Sequence, residues 1–110
     1  QAIDTYFKNL SQYDSLFTVE KLKKRGYDAQ GKPINHSNEV LLMTQHLPEI
    51  NIENSNLFIF SKASFANAKN SRIGLKPYMY PMTMVEGVDI DYLEDFKLAE
   101  LLYQNKALFN

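Results

Sequence analysis

The sequence contains no cysteine and no tryptophan, and only four glycines among its 110 residues. Without cysteine there are no disulfides, no thiolate nucleophile and no zinc-ribbon or iron–sulfur ligation. So few glycines leave no glycine-rich loop. Neither Gly-x-Gly-x-x-Gly nor Gly-x-x-x-x-Gly-Lys-[Ser/Thr] occurs, and the chain has no such segment to wrap a triphosphate. An excess of one charge is also missing: 12 Lys and Arg stand against 13 Asp and Glu, for a net charge of -1. That balance argues against a surface built to neutralise a run of nucleic-acid phosphates, and it disfavours an anionic membrane surface for the same reason. No apolar run approaches the roughly 20 residues needed to span a bilayer. The start Gln1-Ala2-Ile3-Asp4 has neither the basic flank nor the apolar stretch of a signal peptide, so a cytoplasmic protein is the default expectation.

What is present is enough apolar material for one core, at 45% hydrophobic and 23% charged residues. Ile3, Phe7 and Leu10 recur at helical spacing with no Ser, Thr, Asp or Asn ahead of them, so the chain is expected to open inside a helix and to be a single partial domain over residues 1–110. Ser15-Leu16-Phe17-Thr18-Val19 reads as a buried strand. Residues 26–34 carry the turn chemistry of a projecting β-hairpin, with Gly31 free to take positive φ. Residues 35–56 are polar and aperiodic around Val40-Leu41-Leu42-Met43, which predicts short pieces joined by loop. Leu57-Phe58-Ile59-Phe60 predicts a second strand, and Ser61 caps a helix over about 62–70. Tyr78, Tyr80 and Met82 alternate in a third strand, near a sheet edge because Pro81 cannot donate to a ladder. Val88-Asp89-Ile90-Asp91 alternates at period two, and Asp91-Tyr92-Leu93-Glu94 resembles a capping box opening a last helix through Phe96, Leu98, Leu101 and Leu102. Strands interleaved with helices give an α/β class.

On a strand, Asp89 and Asp91 leave the same face, so their oxygens can meet at one hard cation. Magnesium needs only one or two carboxylates when waters and substrate phosphates complete its octahedron. The plainer account of the spacing is that Asp91 caps the helix and Asp89 is solvated. Arg72 and Lys76 flank Gly74 and suit a carboxylate or phosphate, although a solvated loop explains them equally well. His36 and His46 have no zinc spacing, and Ser15, Ser55 and Ser61 lack a nucleophile-elbow context.

The order of these segments resembles a known family. Ser15-Leu-Phe-Thr-Val19, the hairpin, Glu53-Asn-Ser-Asn-Leu-Phe-Ile-Phe60, Arg72-Ile-Gly74 and the closing Val88-Asp-Ile-Asp91 with Asp95-Phe-Lys-Leu-Ala-Glu100 are similar to the C-terminal half of the acylneuraminate (CMP-sialic acid) cytidylyltransferases. The resemblance implies part of a nucleotidyltransferase-type, Rossmann-like mixed sheet with flanking helices and a dimerisation hairpin. It implies transfer of the cytidylyl group of CTP to a nonulosonic (sialic-type) sugar acid with release of pyrophosphate. Asp89 and Asp91 match the acidic pair that holds Mg2+, and Asn54, Ser55, Asn56 and Arg72 fall on the sugar-acid side. The family usually has Asn-Gly where this chain has Asn54-Ser55, and its CTP-binding N-terminal half has no counterpart here. This chain alone is therefore expected to be inactive and not to bind CTP. The partners so implied are CTP, the sugar acid and a second copy, with no nucleic acid and no membrane. The rival account is a non-catalytic homodimerisation or sugar-acid-binding module that retains this half of the fold.

Overall fold

The computed structural model describes residues 1–41 and 43–108. It is a mixed α/β structure whose three strands form one sheet in the order β2-β1-β3. The chain runs α1 (Ala2–Lys8), β1 (Ser15–Leu22), β2 (Ile50–Phe60), α2 (Lys62–Asn67), β3 (Pro77–Pro81) and α3 (Leu93–Gln104), with short 3-10 turns at Thr44–His46 and Lys106–Leu108. None of these helices is long and apolar enough to cross a membrane.

Two compact units make up the chain, Gln1–Glu20 with Glu53–Asn110, and Lys21–Ile52. The first is organised around β1. Leu16 and Val19 are fully buried, Ser15 and Thr18 nearly so, and Tyr6 of α1 and Ser64 of α2 join them as buried side chains. β1 has this position because it is the central strand, and β-branched and apolar residues suit a pleated surface covered on both faces. β3 runs parallel to it, with Ser15 opposite Pro77 and Val19 opposite Pro81. As Pro81 predicts, β3 lies at the edge, where prolines at both ends of the strand cost few ladder bonds.

A carboxylate fastens the entrance to this parallel pair. Asp14 accepts the amides of Leu75 (3.0 Å) and Lys76 (3.1 Å) and the Ser15 hydroxyl (2.9 Å), while its own amide donates to the Lys76 carbonyl at 2.9 Å. The Ser15 hydroxyl oxygen in turn accepts the Gly74 amide at 2.9 Å. A Cβ at position 74 would overlap the Asp14 carboxylate, so glycine is required there by close approach.

Helix α2 starts as the sequence predicts. Ser61 is its N-cap, with reciprocal bonds between Ser61 and Ser64 at 3.0 and 2.9 Å, and Phe65 stacks on Phe60 at 5.6 Å. Lys69 and Asn70, both in left-handed backbone, turn the chain away after the helix.

Three expectations are corrected. β2 begins at Ile50, seven residues before the apolar run; pairing beside β1 holds the polar stretch 50–56 extended against its weak intrinsic preference. Residues 88–91 form no strand, because four alternating residues without a paired neighbour do not make a ladder. The cap of α3 is shifted by one: Tyr92 is the N-cap, and the Asp95 carboxylate accepts the amides of Tyr92 (3.0 Å) and Asp91 (3.1 Å). Asp95 outcompetes Asp91 here because a carboxylate three residues into the helix reaches back to amides that have no helical partner.

The second unit holds the hairpin expected at 26–34. Tyr27 and Pro33 form an antiparallel bridge, Asp28 Oδ1 accepts the amides of Gln30 and Lys32 at 2.9 and 2.8 Å, and Gly31 takes φ 83°. Its base is tied by Asn35, whose amide group accepts from Gly26 N (2.9 Å) and donates to the carbonyls of Lys24 (2.8 Å) and Pro48 (3.0 Å). The Tyr27 ring meets His36 edge-to-face at 4.8 Å, which agrees with a hairpin-base position for that histidine. Leu47 is the buried apolar residue of this unit. Leu42 lies outside the described residues.

Candidate functional site

The residues of interest in the first unit gather where β1 and β3 end their shared register. β2 passes this point with an irregularity: Ser55, in the middle of the strand, has φ 58°. A non-glycine residue in left-handed backbone costs about 1 kcal/mol or more and persists only where its surroundings determine it. Two acceptors meet the amides that follow it: Asn54 Oδ1 takes the Asn56 amide at 3.4 Å, and the other is Thr18. Its buried hydroxyl oxygen accepts the amide of Asn56 at 3.2 Å and that of Leu57 at 3.1 Å. Successive amides of a regular strand point to opposite sides, so one acceptor serves both only where the pleat is broken.

The side chains on either side of Ser55 reach the turn that follows β3. Asn56 Nδ2 donates to the Glu86 carbonyl at 3.2 Å. Asn54 Nδ2 is buried without a hydrogen-bond partner and lies against Gly87, where a Cβ would stand 2.8 Å from it. A buried amide N–H that finds no acceptor is costly, and this one is enclosed by the backbone at Gly87. The turn is stapled by Thr83 and Glu86: the Glu86 carboxylate accepts the Thr83 amide at 3.0 Å and Thr83 Oγ1 accepts the Glu86 amide at 3.1 Å. The Thr83 backbone bond, then the Thr83 side-chain bond, hold the Glu86 carboxyl below its ordinary range.

Asp89 follows Gly87 by two residues, so its Cα lies within about 7 Å of that glycine by chain connectivity. Asp89 and Asp91 are both exposed, and Asp89 Oδ1 accepts the Ile90 amide at 3.0 Å. Since 88–91 is not a strand, the shared face expected of the two carboxylates is not imposed by a pleat. Among the described residues no group of three or more His, Asp or Glu is placed to hold a metal ion. Arg72 stands apart from these, with its guanidinium 4.3 Å from the centre of the Phe58 ring, a cation–π contact that fixes it beside β2.

The structure thus brings Asn54 and Asn56 together with the turn that leads to Asp89, and sets Arg72 against the same strand. Thr18 and Glu86, which shape the site, carry no sequence signal: a threonine within a β-branched run reads as a strand former. No family model fits the chain, and comparison with curated proteins finds no significant relative. What can be said chemically rests on the site itself. It offers neutral amide donors, one of them unsatisfied, at the turn that follows β3 and leads to two exposed carboxylates, while the stacked guanidinium of Arg72 precedes β3.

Proposed function

We propose that this chain is the C-terminal part of a cytidylyltransferase that transfers CMP from CTP to a nonulosonic, sialic-type sugar acid, on a nucleotidyltransferase-type Rossmann-like sheet completed by a CTP-binding half. The observation that carries this reading is the juxtaposition of the Ser55 bulge with the turn leading into the acidic pair. It supports the reading by gathering the Asn54 and Asn56 side chains at the turn that leads to Asp89 and Asp91, in the order the sequence resemblance requires. The Asn54 and Asn56 carboxamides and the backbone polar groups of Ser55 would hold the sugar acid's oxygens, and Arg72 would meet its carboxylate. In the reaction the anomeric hydroxyl oxygen attacks the α-phosphorus of CTP, its proton leaves to solvent or a base, and the bond to pyrophosphate breaks. Positioning the hydroxyl in line with that bond is the contribution of the 54–56 segment.

Two exposed carboxylates with no third protein ligand among the described residues fit magnesium, which keeps most positions for water and phosphate oxygens. Asp89 and Asp91 would hold it, and when bound it neutralises charge on the transferred and leaving phosphates.

Calorimetry with CTP and magnesium is expected to show no binding to the chain alone, and CMP transfer to N-acetylneuraminate is expected once a glycine-rich CTP-binding half is supplied. Asp89→Asn in the reconstituted enzyme should then lower turnover by roughly a hundredfold or more. Tight CTP binding to the chain alone would show that the nucleotide site is misplaced, and near-normal turnover of Asp89→Asn would end the metal assignment. No gain on supplying the second half would leave the non-catalytic module as the better account.

Association with a second copy through the hairpin belongs to the same proposal. In that unit Tyr27, Ile34, Val40, Leu41 and Met43 are 50% to 95% exposed, more apolar surface than a small monomer comfortably carries. Sedimentation as a monomer at high concentration, or as a dimer unchanged by deleting residues 26–34, would overturn it.

A further inference from the structure

Thr18 has no place in the proposed chemistry, yet its hydroxyl accepts both amides after Ser55, while Asn54 Oδ1 accepts the Asn56 amide alone, at 3.4 Å. We infer that Thr18 is a positioning residue: its hydroxyl holds Ser55 in left-handed backbone and thereby sets the Asn54 and Asn56 side chains at the turn that leads to Asp89, where the sugar acid is proposed to bind. This inference rests on the sugar-acid reading of the 54–56 segment for the ligand, but not for the local conformation.

Left to itself, a serine at position 55 would continue the pleat, because left-handed backbone is unfavourable for a residue with a Cβ. A continued pleat would turn the Asn56 and Leu57 amides to opposite sides of β2 and shift every later side chain by one face. Thr18 prevents this because it is 1% exposed on the central strand, so its oxygen is held and has no competing water. With both amides drawn to it, the irregularity stays at Ser55. Asn56 Nδ2 is then placed to donate to the Glu86 carbonyl at 3.2 Å, and Asn54 Nδ2 is left buried against Gly87 with its hydrogen-bonding capacity unspent. The polar side chains of Asn54 and Asn56 are thereby gathered at the turn that leads to Asp89. A glycine at 55 would adopt this conformation unaided, so the hydroxyl at 18 does for serine what a glycine's freedom does elsewhere.

The test uses the full chain and three substitutions. Thr18→Val keeps the shape and removes the acceptor, Thr18→Ser keeps the acceptor, and Ser55→Gly removes the need for it. Amide hydrogen exchange at Asn56 and Leu57 should quicken about tenfold or more in Thr18→Val and stay near wild type in Thr18→Ser. N-acetylneuraminate, titrated by chemical-shift change, should bind Thr18→Val about tenfold more weakly, and Thr18→Ser nearly as wild type. Adding Ser55→Gly to Thr18→Val should restore most of the loss, which a general weakening of the core would not allow. If Thr18→Val fails to fold, Ser55→Val replaces it: the side chain is at the surface, Thr18 is untouched, and the same loss of probe binding is expected. Unchanged exchange at both amides in Thr18→Val would overturn the positioning role. So would unchanged probe affinity in Thr18→Val or in Ser55→Val. A wild-type chain that ignores the probe while Thr18→Val still frees both amides would remove the sugar-acid reading and leave the conformational role standing.

Discussion

Strand β1 and helix α3 are comparably apolar in sequence and have opposite fates. In β1, Leu16 and Val19 are at 0% exposure and the neighbouring Ser15 and Thr18 at 1%. In α3 no side chain is buried, and Phe96, Leu98 and Leu101 remain 51%, 48% and 57% exposed. The difference is in what lies on either side. β1 has a strand on each edge, whereas α3 sets only Asp95, Ala99 and Leu102 into partial cover. Apolar composition therefore states a capacity for burial, and the neighbours decide whether it is used.

The largest expected effect sharpens this contrast. Leu16→Ala should cost about 2–5 kcal/mol, as large-to-small changes in a closed core do, while Leu101→Ala on α3 should stay within about 1 kcal/mol. Denaturant unfolding of both variants measures the two. A cost at Leu101 equal to that at Leu16 would mean that α3 is covered in solution, and would break the comparison.

A smaller effect is expected where β1 begins. Gly74→Ala should cost roughly 1–3 kcal/mol, because the new methyl must displace a carboxylate bonded to the amides of Leu75 and Lys76. Asp14→Ala removes that carboxylate, so the double variant should cost less than the sum of the two single changes. Additivity in thermal unfolding would show that glycine and carboxylate do not act together.

The smallest effect is the pH dependence of the turn after β3. Hydrogen bonds from Thr83 lower the Glu86 pKa in the folded chain, so its contribution is present above the unfolded carboxylate range, around pH 4.3, and is lost as pH falls through the lower folded value. Glu86 is almost fully exposed, so solvent screening keeps the contribution small. The stability difference between wild type and Glu86→Gln should shrink as pH falls from about 6 to about 3, and Thr83→Ala should flatten that trend.

Local chemistry was legible in the sequence where it is self-contained. The Ser61 cap depends on residues three apart, Gly31 on its own missing Cβ, and the edge position of β3 on prolines that cannot donate. Where a distant neighbour decides, the sequence was mute. Asn51, Glu53 and Asn54 are poor strand formers in a strand that lies beside β1, and the alternation of 88–91 makes no strand because none of the described strands pairs with it. The candidate site divides the same way. Asn54, Ser55, Asn56, Arg72, Asp89 and Asp91 could be named from residue type and order, but Thr18 and Asp14 act across 38 to 62 residues of chain, a separation that leaves no trace in spacing.

That separation also bears on how the molecule assembles. The Asp14 latch joins residues 62 apart, and closing so long a loop costs roughly 1.6 kcal/mol more in chain entropy than closing one of ten residues. The latch and the parallel edge it secures return nothing until β3 arrives, so the route to the folded state is expected to be late in contact order, with β1 waiting half-paired. During that wait its open edge is the place where another chain can intrude, and the carboxylate at its mouth sets how long the opening lasts.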